Sequence, residues 1–128
     1  MAKTFEELLT ALDAKRPTEK TAKGKVYFYK DLPVRFVAGE LEGIHWMDIQ
    51  IELPRFTISS IKGAQKVLEA NVEMGMATPI PTWFGATEKG NVVFINRLDW
   101  QHITPEILDD HVMRCIDQMS QALAAEGV

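Results

Sequence analysis

The chain has little cysteine, little excess charge and no long apolar run, and each shortage excludes something. Cys115 is alone, so no intrachain disulfide can form, and a lone thiol suits a reducing compartment. The apolar stretches are only a few residues long, far short of a membrane span. The first residues turn acidic at Glu6 and Glu7 where a secretory leader would become apolar. A cytoplasmic chain without membrane insertion is therefore expected. Basic residues are outnumbered, 14 against 18 acidic, for a net charge of −4. That balance speaks against affinity driven by counterion release, so no nucleic-acid partner is expected. The densest basic stretch, Lys15 to Lys25, is rich in Thr and holds Pro17 and Gly24, and it reads as a solvated polar loop. Gly39, Gly43, Gly85 and Gly90 stand singly in turns and form no phosphate-cradling loop. Internal repeats and low-complexity tracts are absent.

What remains is an ordinary globular composition: 128 residues, 46% hydrophobic and 25% charged, enough for one domain spanning 1–128 with its own core. Thr4 and Glu7 have capping-box spacing, and Phe5, Leu8, Leu9 and Leu12 follow at helical intervals, predicting a helix from Phe5 to about Lys15, ended by Pro17. From Lys25 the period changes to two. Val26 and Phe28 oppose Tyr27 and Tyr29, and Val34 and Phe36 alternate with Arg35 and Val37. His45, Met47, Ile49, Ile51 and Leu53 form an apolar row opposite Ile44, Trp46, Asp48, Gln50 and Glu52. These predict an antiparallel meander of three strands closed by Pro54.

Ser59 or Ser60 caps a middle helix whose expected inward stripe is Ile61, Ala64, Val67, Leu68, Asn71 and Val72, stopped near Gly75. Trp83 and Phe84 begin a strand, Glu88 to Gly90 make a turn, and Asn91 to Leu98 is apolar on both faces, which places it inside a sheet. Thr104 and Pro105 open a last helix with Leu108, Val112, Cys115, Ile116, Met119 and Leu123 on one face. The fold class is α+β: an antiparallel β-sheet with three helices in the order α-β-β-β-α-β-β(-β)-α, the helices packed on one face of the sheet.

No set of residues converges on chemistry. His111 and Cys115 are four apart on one helical face, with Asp110 beside them, but two soft ligands do not close a metal site. Cys115 sits in an apolar stripe with acidic neighbours, the wrong setting for a reactive thiolate. Glu40 and Glu42 fall in a turn, and Glu6 and Glu7 at a helix start, as solvated charge. No catalytic residue, metal or cofactor is expected. Trp46 is the informative aromatic, because it falls on the polar side of its strand, where a tryptophan marks either a covered face or a contact surface.

The order of elements and several segments resemble the small acidic effector chaperones of type III secretion systems (class I, the Tir-chaperone-like family). The resemblance covers most of the chain and is best in the second half. There Leu68-Glu69-Ala70-Asn71 closes the middle helix, Gly90 to Leu98 forms the hydrophobic hairpin strand, and Thr104-Pro105-Glu106-Ile107-Leu108 opens the final helix. Gly75 to Pro81, with two prolines, departs from the family pattern. The resemblance implies a homodimer in the bacterial cytoplasm, without catalysis, binding the non-globular amino-terminal segment of a secreted effector. It implies effector contacts at Phe5, Leu8, Leu9 and Leu12 of the first helix and at Phe28, Val34 and Phe36 of the early strands. A dimer contact at Trp83, Phe94 and Ile95 is implied as well. Two other readings stay open: a small-molecule-binding or catalytic α+β domain with an aromatic-lined pocket around His45 or His111, and an adaptor for a folded partner with an aromatic patch around Trp46.

Overall fold

Alternating patterns of the kind seen from Val26 onward give strands with two unlike faces, and such strands pair into a sheet that needs covering on one side only. The computed structural model describes residues 4–21, 24–58, 61–77 and 81–125. The elements run α1 (Phe5–Asp13), β1 (Thr18–Thr21), β2 (Gly24–Tyr29), β3 (Leu32–Leu41), β4 (Ile44–Thr57), α2 (Ile61–Ala77), β5 (Thr82–Ala86), β6 (Asn91–Asp99) and α3 (Pro105–Ala125). Six antiparallel strands form one sheet in the order β1-β2-β3-β4-β6-β5. The expected α+β class, the three helices and the antiparallel sheet are all present.

The first run of strands is longer than expected. Thr18–Thr21, read from the sequence as loop, pairs with β2 as an edge strand. It has no apolar alternation because Thr18, Glu19 and Lys20 are all exposed, and such residues are what an exposed edge carries. Nor does Pro54 close β4. The strand continues to Thr57 through a register shift between Leu53 and Thr57, an irregularity that spares the proline its missing ladder hydrogen bond. Two tight turns use left-handed residues: Lys30 and Asp31 between β2 and β3, and Glu42 and Gly43 between β3 and β4.

The inner face of the sheet carries Tyr27, Tyr29, Val34, Phe36, Met47, Ile49, Ile51, Leu53, Phe84, Val92 and Phe94. Leu8 and Leu12 of α1, Val67 and Ala70 of α2, and Leu108, Val112, Cys115, Ile116 and Met119 of α3 close over it in one cluster. Helix starts follow the sequence: Thr4 Oγ1 accepts the Glu7 N–H at 3.1 Å, and Thr104 Oγ1 accepts the Ile107 N–H at 3.2 Å. The cap residues Ser59 and Ser60 and the side chains of Ile61 and Leu123 lie outside the described residues.

The expected stripe of α2 holds at Val67 and Asn71, but the helix is rotated so that Leu68 and Val72 leave the core and Ala70 enters it. Leu68 and Val72 are 63% and 65% exposed, while Val67 and Ala70 face the core. Asn71 explains the rotation. Its Oδ1 accepts the Phe84 N–H and its Nδ2 donates to the Phe84 carbonyl, tying the helix to β5 by a strand-like pair of bonds. The helix also continues past Gly75 to Ala77.

Two tyrosines fix the helical layer to the sheet. The Tyr27 hydroxyl donates to Asp13 at 2.5 Å, and the Tyr29 hydroxyl donates to Asp109 at 2.5 Å. Lys25 and Tyr27 hold the Asp13 carboxyl below its ordinary range by hydrogen bonding to its charged form. Arg16 stands 4.2 Å over the Tyr29 ring and reaches Asp109 at 3.3 Å, so the end of α1 and the start of α3 meet at one polar cluster.

Candidate binding face

Because the helices all pack against the inner face, the outer face of the sheet carries no helix among the described residues. Its side chains can be read across the ladders. Phe28 pairs with Pro33, Arg35 with Gln50, Val37 with Asp48 and Gly39 with Trp46. Gln50 then continues to Ile95 and Trp83, Asp48 to Arg97, and Glu52 to Val93 and Gly85. The face is thus an apolar and aromatic surface crossed by a few charges. Val37 is 46% exposed, and Phe28, Pro33, Trp46, Trp83, Val93 and Ile95 are all partly exposed.

One end of this surface is a stacked cluster. Arg97 lies 5.2 Å from the Trp46 ring and 5.4 Å from the Trp83 ring. Its guanidinium forks onto Asp48 with bonds of 2.7 and 3.0 Å, which raises the Arg97 pKa further and fixes the plane of the cation. Trp46 lies flat because its cross-strand neighbour is Gly39, where even a methyl group would overlap the indole. Gly39 was read from the sequence as a turn residue; it is instead the floor under a tryptophan.

Beside the cluster is a cleft of about 410 Å³, lined by Pro33, Arg35, Val37, Gln50 and Glu52 of β3 and β4 and by Val93 and the β5–β6 turn. A second cleft follows the solvent side of α1, along Thr4, Glu6, Glu7, Thr10 and Ala11. It contains none of the apolar stripe of that helix.

The structure divides the sequence-derived site residues. Leu8, Leu12, Val34, Phe36 and Phe94 are in the core cluster, with Phe5 and Leu9 packed partly buried against it. In this structure these five side chains are buried beneath α1 and among the strands. Phe28, Trp46, Trp83 and Ile95 come together on the outer face. Arg35, Val37 and Gly39 belong there too. The period-two alternation had already put Arg35 and Val37 opposite the core row. What it lacked was the information that no helix among the described residues covers them.

Cys115 and His111, the pair four apart on α3, both have packing roles. Burial pushes the Cys115 thiol up to about 12, so it stays protonated. His111 Nε2 lies 2.8 Å from Asn96 Oδ1, and Asn96 Nδ2 donates to Thr82 Oγ1 at 2.8 Å, a chain that satisfies buried polar atoms. Burial, helped by nearby Arg114, pushes the His111 pKa down. His45 packs edge-on against Trp100 and lies 3.7 Å from Glu40. Among the described residues no three His, Cys, Asp or Glu side chains could hold a metal ion, and no helix is long and apolar enough to cross a membrane. No protein-family model, no curated protein and no solved structure matches this chain, which leaves the chemistry of the outer face itself to indicate what it does.

Proposed function

We propose that this chain is a non-enzymatic polypeptide-binding protein: a cytoplasmic, homodimeric chaperone of the type III effector kind that receives a non-globular segment of a client on the outer face of its sheet. The observation that carries this reading is the helix-free face, where Phe28, Val37, Trp46, Trp83, Val93 and Ile95 are partly exposed on rigid strands. Aromatic side chains and arginine dominate the energetics of protein interfaces, and this face supplies Trp46, Trp83 and Arg97 as one cluster. An extended client segment has apolar side chains at alternate positions, a spacing that suits pockets on a sheet.

A second reading is favoured by the flatness of the Trp46–Arg97–Trp83 stack: an adaptor whose partner is itself folded. The two separate by experiment. The tagged protein is used to capture its partner from its own organism grown under secretion-inducing conditions, alongside an Ile95→Asp variant. A chaperone retains one dominant protein through a segment that is protease-sensitive when free, and Ile95→Asp loses it. An adaptor retains a partner that resists proteolysis when free. Equal capture by both baits would remove the outer face from either account.

A further inference from the structure

Among the described residues, the outer face has one arginine without a carboxylate partner. Arg97 is forked on Asp48, Glu52 accepts from Asn91 Nδ2 at 3.3 Å, and Asp99 accepts the Gln101 N–H at 2.8 Å. Arg35 differs. Its Nε is buried without a hydrogen-bond partner, and among the described residues no carboxylate pairs with its guanidinium. A buried donor left unsatisfied is costly and is rare in a settled fold. Arg35 lines the 410 Å³ cleft, with Val37 two residues along β3 on the same face, roughly 7 Å away.

We propose that this cleft receives an extended segment of the partner in which an acidic side chain meets Arg35 and an apolar side chain two positions away covers Val37. The proposal rests on the polypeptide-binding reading above and adds to it the chemistry of the segment. A carboxylate matches the planar fork of the guanidinium that lines the cleft, while the flanking Pro33 and Val93 reduce the water that competes with the pair. Glu52 and Glu88, which also line the cleft, limit the charge it accepts. A singly charged carboxylate is accommodated, whereas a phosphate dianion would be repelled. The overall acidity of the chain does not decide this local match, because exposed charges beyond a Debye length are screened.

The test uses short fluorescein-labelled peptides of alternating apolar and polar residues, identical except for Glu, Gln or Lys two positions before a central Leu. Fluorescence polarisation gives their affinities for the full chain, for Arg35→Gln, for Arg35→Lys and for Ile95→Asp, with folding checked by circular dichroism. The Glu peptide is expected to bind the parent chain about tenfold more tightly than the Gln peptide, a margin within reach of one charge-assisted pair. Arg35→Gln is expected to erase that margin and Arg35→Lys to keep part of it, which also covers the case in which the Gln variant does not fold. Equal affinities for Glu and Gln peptides, a preference that survives Arg35→Gln, or tightest binding of the Lys peptide would overturn the role of Arg35. The face itself is judged separately. Loss of all peptides in Ile95→Asp upholds it, while no binding by any peptide, or binding indifferent to Ile95→Asp, removes the face and this proposal together.

Discussion

Gly39 and Trp46 share a ladder position, and Gly39 cannot change alone. Any side chain at Gly39 meets the indole, so Gly39→Ala forces Trp46 off the sheet and away from Arg97. The expected cost is about 1–3 kcal/mol of stability, as for other overpacked sites, with a changed near-ultraviolet dichroism of tryptophan. Urea unfolding and that spectrum measure the two effects together.

His111 offers a second test on a single residue. Its pKa is held down by burial first and by Arg114 second, so the folded state prefers the neutral ring. In the unfolded chain the same histidine titrates near its ordinary value, about 6.5. Below that value the unfolded state binds more protons than the folded state, so stability falls as pH falls from neutrality toward the depressed pKa. The urea midpoint should therefore drop between roughly pH 7 and pH 5. His111→Gln, which can still donate to Asn96 without titrating, should flatten that part of the curve. A slope unchanged in the variant would assign the effect elsewhere. The lowered pKa of Asp13 acts at more acidic pH: its contribution is present above the ordinary carboxylate range and is lost as pH falls through the folded value.

At the scale of elements, Asn71 is the tie between α2 and β5, since it serves both the N–H and the carbonyl of Phe84. Asn71→Ala leaves two backbone groups of an edge strand to find water or go unpaired. A loss of about 1–3 kcal/mol is expected, with early hydrogen exchange at β5. Asn71→Asp should be intermediate, because it keeps the acceptor and loses the donor.

Such polar ties are also where the sequence was hardest to read. The alternating rows of β2, β3, β4 and β6 were legible because burial on one face imposes a period of two. The stripe of α2 was right at Val67 and Asn71 but wrong at Leu68 and Val72, because the hydrogen-bonded asparagine and the small Ala70 orient the helix more strongly than those two apolar residues do. β1 left no hydrophobic trace, having nothing to bury. The candidate site was half legible. Trp46 announced itself as an aromatic residue on a polar row. Arg35 looked like any exposed strand arginine, because its lack of a partner exists only in three dimensions.

For the whole molecule, the division into a covered and an uncovered sheet face separates stability from recognition. Leu8→Ala removes a fully buried side chain from the core and should cost about 2–5 kcal/mol. Ile95→Ala, on the half-exposed outer face, should cost about 1 kcal/mol or less. If the outer face is where the partner docks, their effects on partner affinity invert: Ile95→Ala weakens binding at full folding, and Leu8→Ala weakens it only in proportion to unfolded chain. Parallel melting and titration of the two variants measure this directly. A Leu8→Ala chain that stays as stable as its parent would show α1 to be detachable, and would return its apolar stripe to the list of partner contacts.

The strand order also has a kinetic consequence. β1 through β4 are joined hairpin to hairpin, as are β5 and β6, so each group forms through contacts close in sequence. The sheet becomes whole only where β4 meets β6 across the intervening α2, pairing Trp46 through Thr57 with Asn91 through Asp99. Closing that long loop carries a large entropy cost, and the transition state should lie there. Shortening Ile51 to Val at this seam is expected to slow folding, while a change in β1 should act mainly on the unfolding rate. The same seam runs beneath the outer face, so the surface that would hold a client exists only in chains that have crossed the folding barrier.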